Sequence, residues 1–572
     1  MESKEQLIEK LFSQGVLVTK DLLEKIEQGK DDSLLDKLES EEDMLVVTDD
    51  YVELLQDDGR LIDWYEMDKY RVDFEKEGDK DLYQSQLQQF GMVSLQGASS
   101  TGNTETTHIH STEANLQTEG IGAEISFEDS GNIFSEGVTE DPDTFDSVAD
   151  HEIDISYKVI VNYAHLAKKY TVKDFSNIFR TRYKFLERII RAHPEMKGVT
   201  SINRVLQKKE KEECAIIGVV FDIALTKNNN YIITLEDLTG QIKVIVSQKN
   251  KEAFAQAKEL IFDEVVGVVG SNSGDIMFGS EFIWPDIPHG KQIKKAPIEE
   301  YAIFLSDIHV GSNNFLGEEF QKCINWLKAE TGSEAQKEVA SKVKYIFIAG
   351  DVVDGIGIYP KQHEELTIHE MEGQYAEFAR FIKQIPKDKK IFICPGNHDV
   401  VHLAEPQSAF YKEYTEELHE MENVHLVSNP SMITVAKTED FEGINILMYH
   451  GYSFDYYVAN VDSIRNNGGY NRADLIMKFL LKRRHLAPAF KSTPYLPAFD
   501  VDPLLIKHVP DIMISGHIHY SSVATYKGVT MICGSCWQSK TEFQEKLGHN
   551  PEPGRVPVVN LKTREVKVLR FV

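Results

Sequence analysis

The chain has 572 residues, of which 41% are hydrophobic and 27% charged; that is too long for one ordinary domain and too polar for a membrane bundle. Its net charge of −30 is unevenly spread: residues 1–157 hold 11 Lys/Arg against 40 Asp/Glu (−29), and the remaining 51 basic and 52 acidic residues sum to −1. The near-neutral part leaves a nucleic-acid partner open, because phosphate contacts need a local basic surface rather than a basic total.

Met1-Glu2-Ser3-Lys4-Glu5 carries no signal-peptide pattern, and no apolar run approaches a membrane span, so an intracellular protein without a membrane partner is expected. Leu7, Ile8, Leu11, Phe12, Leu22, Leu23 and Ile26 follow helical spacing, which predicts a small helical module over residues 1–65. An acidic linker is expected over 66–156. From Asp81 to Tyr157 it has no Lys or Arg and is rich in Ser, Thr, Gly, Asn, Asp and Glu, a composition that cannot offset chain entropy by burial. His108 and His110 lie in it with nothing nearby to complete a rigid metal site.

Residues 157–200 are expected as a helical connector. Phe175, Ile178, Phe179, Tyr183, Leu186, Ile189 and Ile190 make its apolar face, and Arg180, Arg182, Lys184, Arg188 and Arg191 decorate the others. Over 201–290 the period changes to strands, with one helix expected at 252–260. That pattern fits a five-stranded oligonucleotide-binding (OB) barrel, either a single-strand binder or a structural spacer.

From 298 to 572 the predicted strands each run into a chemically useful residue. Tyr301-Ala302-Ile303-Phe304-Leu305 leads to Asp307 and His309, and Tyr345-Ile346-Phe347-Ile348-Ala349 to Gly350-Asp351. Ile391-Phe392-Ile393-Cys394 leads to Gly396-Asn397-His398-Asp399, and Ile444-Asn445-Ile446-Leu447-Met448 to His450-Gly451. Ile512-Met513-Ile514 leads to Gly516-His517-Ile518-His519, and Val529-Thr530-Met531-Ile532 to Cys533-Gly534-Ser535-Cys536-Trp537. Helical patterns between strands predict a layered α/β domain, whose ligands collect at strand carboxyl ends. Asp307, His309, Asp351, Asn397, His450, His517 and His519 offer the mixed oxygen and nitrogen donors that two divalent ions need. In Asp307-x-His309 and His517-x-His519 alternate side chains share a face only if the backbone stays extended, and both pairs could then grip one cluster. Five scattered cysteines make no disulfide framework, and Cys533 and Cys536 lack the second pair that a structural zinc requires.

Asp307-x-His309, Gly350-Asp351, Gly396-Asn397-His398-Asp399, His450-Gly451 and Gly516-His517-x-His519, in that order, resemble the calcineurin-like metallophosphoesterase superfamily. The resemblance implies a two-sheet α/β sandwich with two metal ions. Asp307, His309, Asp351 and His519 would hold one ion, and Asp351, Asn397, His450 and His517 the other, with Asp351 bridging. It implies that His398 faces the phosphate as the catalytic group. Lys482-Arg483-Arg484-His485-Leu486-Ala487-Pro488, Asp502-Pro503 and Val509-Pro510-Asp511, with the order of domains, resemble the small subunits of archaeal family D DNA polymerases. This second resemblance implies a 3′→5′ exonuclease in the accessory subunit of a replicative polymerase. It would use two divalent ions, Mn2+ first with Fe and Zn as alternatives, and work at the nucleoid. The implied partners are a large catalytic subunit, single-stranded 3′ DNA ends and a sliding clamp. Lys482, Arg483 and Arg484 are expected either to guide the DNA end or simply to solvate a helix end. Rival readings are a double-strand-break-repair-type nuclease, a non-catalytic assembly subunit and a phosphatase for small esters.

Overall fold

The apolar, β-branched runs in the carboxyl-terminal half become strands in two six-stranded sheets. The computed structural model describes residues 17–18, 46–47, 156–164, 169–541, 544–545 and 550–572. The expected amino-terminal helices, the acidic linker, His108 and His110 lie outside these residues. Leu17–Val18 and Val46–Val47 form a short parallel pair, in a unit separate from residues 141–572.

One sheet runs Val424–Leu426, Lys390–Cys394, Val343–Ala349, Tyr301–Leu305, Arg555–Asn560, Val566–Arg570. Its first four strands are parallel and its last two antiparallel. The other runs Ser522–Tyr526, Val529–Cys533, Ile512–Ser515, Ile444–Met448, Ser431–Val435, Tyr157–Val161. Its Val529–Cys533, Ile512–Ser515 and Ile444–Met448 strands are parallel. The two sheets share one apolar core, in which Phe304, Phe347 and Phe392 stack with centroids 5.4 and 5.2 Å apart. Helices such as Gly317–Leu327 and Met371–Ile382 cover the outer face of the first sheet, and Ala473–Arg483 the second.

Tyr157–Val161 corrects the expected all-helical connector: it pairs antiparallel with Ser431–Val435 and completes the second sheet. Its side chains alternate between half-buried and exposed, as an edge strand requires. The helix that follows, Val172–Arg191, was legible from its apolar spacing.

Five strands between Glu213 and Ile283 close into a barrel. Gly270 permits the register shift between the Val265–Ser273 and Ile276–Ile283 strands, because any Cβ there would sit 2.1 Å from the Phe278 carbonyl oxygen. Two buried charge clusters hold the neighbouring elements together. In the first, Arg483 Nε lies 2.7 Å from Glu264 Oε2, and Lys482 Nζ sits 3.5 Å over the Trp284 ring. In the second, Arg182 Nε meets Asp502 Oδ2 at 2.6 Å and His485 Nε2 meets the same oxygen at 2.9 Å. Arg182, expected on a solvated face, is therefore a buried group: it is 1% exposed. It is tolerable there because its charge is paired and its Nη1 donates to the Pro488 carbonyl at 3.0 Å.

The Ala487 N–H donates to His485 Nδ1 at 2.9 Å, so this ring is neutral with its proton on Nε2. Burial, then Arg182, pushes His485 down to about 4. Burial opposes the ionised Asp502, but Arg182 and His485 hold it well below the usual carboxylate range. Between about pH 6.5 and 4 the unfolded chain protonates His485 while the fold excludes that proton, so stability rises with pH across this window. Urea unfolding should show wild type losing up to about 3 kcal/mol as pH falls through it, and His485→Gln losing much less. Asp502→Ala should cost about 3–5 kcal/mol at pH 7, because it strands Arg182 without a counter-charge.

Candidate functional site

The chemistry-bearing residues follow the carboxyl ends of parallel strands in both sheets and meet between them. The turns that carry them are left-handed: φ is +51° at Asp307, +55° at His309, +52° at Asp351, +71° at His517 and +54° at His519. The condition that would put each x-spaced pair on one face, an extended backbone, is therefore not met. Asp307 and His309 still reach one cluster, whereas His517 and His519 part into different ones. Each left-handed residue of this kind costs roughly 1 kcal/mol or more, and such strain concentrates where function demands it. Backbone bonds lock the turns: Asp307 N–H to the Gly350 carbonyl at 3.0 Å, and His309 N–H to the Asp351 carbonyl at 3.1 Å.

Among the described residues, three groups are able to hold a cation: Asp307, His309 and His519; Asp351, His450 and His517; and His309, Asp354 and His398. Asp351 lies between the first two, its Oδ2 3.2 Å from His450 Nε2 and 4.0 Å from His309 Nε2. Asn397 joins the second group, with Oδ1 3.0 Å from His450 Nε2. His519 Nε2 is 3.4 Å from Asp307 Oδ1 and 3.0 Å from His309 Nε2. All seven expected donors thus converge, and all but Asn397 fall in these clusters. Sequence proximity plays no part in this: the segments are up to 212 residues apart, as Asp307 and His519 are.

Hydrogen bonds orient the rings. His450 Nδ1–H donates to the Ala349 carbonyl at 2.8 Å, which leaves Nε2 as the nitrogen that would take a cation on giving up its proton. His398 Nδ1–H donates to the Asp354 carbonyl at 2.7 Å. Asp354 also places Oδ1 3.1 Å from His309 Nδ1, and it accepts from Gln362 and Gln538, each at 2.8 Å. Burial opposes charge on Asp351, yet His450, His398 and His309 hold it well below the usual carboxylate range. Burial works against a proton on His450 as well, but Asp351 outweighs it and raises His450 to about 10. Two buried carboxylates with imidazoles turned toward them make a donor set that fits divalent cations.

Sequence reasoning left two carboxylates without a role. Asp354 was detectable only as the second acid of Gly350-Asp351-Val352-Val353-Asp354-Gly355. Asp399 was in view but unassigned. Its Oδ2 accepts the Gly396 N–H at 2.8 Å, which pins the Gly396-Asn397-His398 turn. Burial, together with the Asp351 charge, raises it to about 7.

Lys482, Arg483 and Arg484 do not join this site. Arg483 and Arg484 are 3% and 4% exposed; Arg483 faces Glu264, and Arg484 donates to the Ile506 carbonyl at 2.9 Å. Lys482, packed on Trp284, is half-buried, and burial pushes it down to about 8. The trio expected to guide DNA is spent on internal partners, because a helix end that meets the barrel has no solvent face. The five cysteines are buried thiols.

A family profile for the B subunits of DNA polymerases alpha and epsilon matches residues 302–524. Several relatives carry the name DNA polymerase II small subunit. The protein of Methanothermobacter thermautotrophicus is 38% identical over 423 residues, covering 73% of this chain and 84% of the relative. That of Archaeoglobus fulgidus is 39% identical over 402 residues, covering 70% and 77%. That of Pyrococcus furiosus is 37% identical over 404 residues, covering 70% of this chain and 64% of the relative, so the match spans less than two thirds of that longer protein.

Gly396 offers a direct check on the geometry. A Cβ there would lie 2.2 Å from Asp351 Oδ1 and 2.7 Å from the Asp351 backbone nitrogen. Gly396→Ala should displace Asp351, which an unfolding titration in urea would register as a loss of about 1–3 kcal/mol.

Proposed function

The chain belongs to the family of DNA polymerase II small subunits, and from that premise we propose that it is the accessory subunit of a replicative polymerase with its own 3′→5′ exonuclease. The large subunit carrying nucleotidyl transfer is its partner, and single-stranded 3′ DNA ends are its substrate. In this reading residues 298–572, with the Tyr157–Val161 strand added, are the metallophosphoesterase sandwich, and the barrel is an OB-fold.

The observation that carries the reading is the buried Asp351 carboxylate between two donor groups drawn from both sheets. Asp307, His309, Asp351 and His519 would hold one divalent ion, and Asp351, Asn397, His450 and His517 a second. The mixed carboxylate, amide and imidazole donors accept Mn2+, Fe and Zn alike, and the family resemblance favours Mn2+. When bound, such a pair supplies a nucleophilic water at neutral pH and positive charge for the transition state. The chain's own residues do the rest. Asp351 holds the two ligand groups at a fixed spacing, and the strained turns pre-set the donors before substrate arrives. The main-chain bond to Asp354 fixes His398 with Nε2 as its remaining nitrogen, the one placed to hydrogen-bond a phosphate or leaving oxygen.

The protein copurified with a large polymerase subunit should shorten 5′-labelled single-stranded DNA from its 3′ end only with a divalent ion present, Mn2+ being most effective. Asp351→Ala and His450→Ala should each reduce this by at least about 100-fold while the complex still assembles. Undiminished degradation by either variant would establish a non-catalytic subunit instead.

A further inference from the structure

His517 differs from the other three cluster imidazoles in the partner that its Nε2 meets. His309, His450 and His519 all place Nε2 against one another, Asp351 or Asp307. The Nε2 of His517 instead lies 3.0 Å from Asp455 Oδ2. Asp455 is not among the clustered donors. It stands in the first turn of the Phe454–Asn460 helix, five residues beyond His450, and its side chain is 52% exposed. An ionised carboxylate only accepts, so the Nε2 of His517 carries the hydrogen and Nδ1 keeps the lone pair. Tyr470 hydrogen-bonds the same carboxylate, and the Tyr452 ring lies 5.7 Å from the imidazole, so Asp455 and His517 are held from several sides.

We infer that Asp455 is a positioning residue. It fixes the tautomer and the rotation of His517 so that Nδ1 is presented to the cation shared with Asp351 and His450. The inference rests on the metal-dependent reading of the site proposed above. A carboxylate behind a ligand imidazole changes metal affinity by about 10–100-fold, whereas an exposed ion pair with no such duty changes little. The effect must also be one-sided, because His517 groups with Asp351 and His450 and not with Asp307, His309 and His519.

Calorimetric titration of the metal-free full chain with Mn2+ separates the possibilities. Wild type should take up two ions, and Asp351→Ala should lose tight binding of both. Asp455→Ala should weaken one ion by about 10–100-fold and leave the other unchanged. Asp455→Asn, whose side-chain carbonyl still accepts from Nε2, should recover part of the loss. Thermal unfolding of the metal-free variants should match wild type; if alanine prevents folding, Asp455→Ser supplies the same reading. Two ions bound by Asp455→Ala with wild-type affinities, or both weakened equally, would overturn the inference and leave the site reading standing. A wild-type chain that takes up no Mn2+ would overturn both.

Discussion

The buried carboxylate of Asp351 is the constraint on which the rest of the site depends. It is 1% exposed, and such a charge persists in a protein interior only where opposite charge or strong donors surround it. The fold supplies these from every direction. The His398 N–H donates to Oδ1 at 2.8 Å, while His450 and His309 face Oδ2. Each contributor comes from a different strand end, so neither sheet could build the environment alone. Gly350 and Gly396 pack so closely around this point that no larger residue fits either position.

Holding two sheets in fixed register asks for rigidity away from the site, and the second charged constellation meets that need. Asp502 ties the Val172–Arg191 helix, through Arg182, to the segment following Ala473–Arg483, through His485. Glu264 and Arg483 tie that helix to the barrel. Removing one partner from such pairs leaves an uncompensated buried charge, so the domains resist relative motion even though the pairs add little net stability. The short basic and acidic motifs around residues 482–488 and 502–511 are thus structural braces.

Much of this was legible in the sequence, for identifiable reasons. Buried parallel strands read as continuous apolar runs, so all six predicted strand ends of the carboxyl-terminal half were found within a residue or two. The ligand types at those ends were legible because Asp, Asn and His in that order have few other reasons to follow apolar strands. Local geometry was hidden. Nothing in Asp307-x-His309 announces left-handed φ values, since the strain is sustained by tertiary hydrogen bonds from residues such as Gly350 and Asp351. The burial of Arg182, Arg483 and Arg484 was hidden too, because their partners Asp502, Glu264 and Ile506 are distant in the chain. The Tyr157–Val161 strand was missed because its partner lies some 270 residues away.

Anomalous diffraction from crystals soaked in Mn2+ is the most direct measurement of the paired site. Two peaks about 3.5–4 Å apart are expected. Asp351 should lie between them, with His309 and His519 beside one and His450 and Asn397 beside the other. A single peak away from Asp351, or none at saturating Mn2+, would contradict a two-cation centre and with it the proposed nuclease.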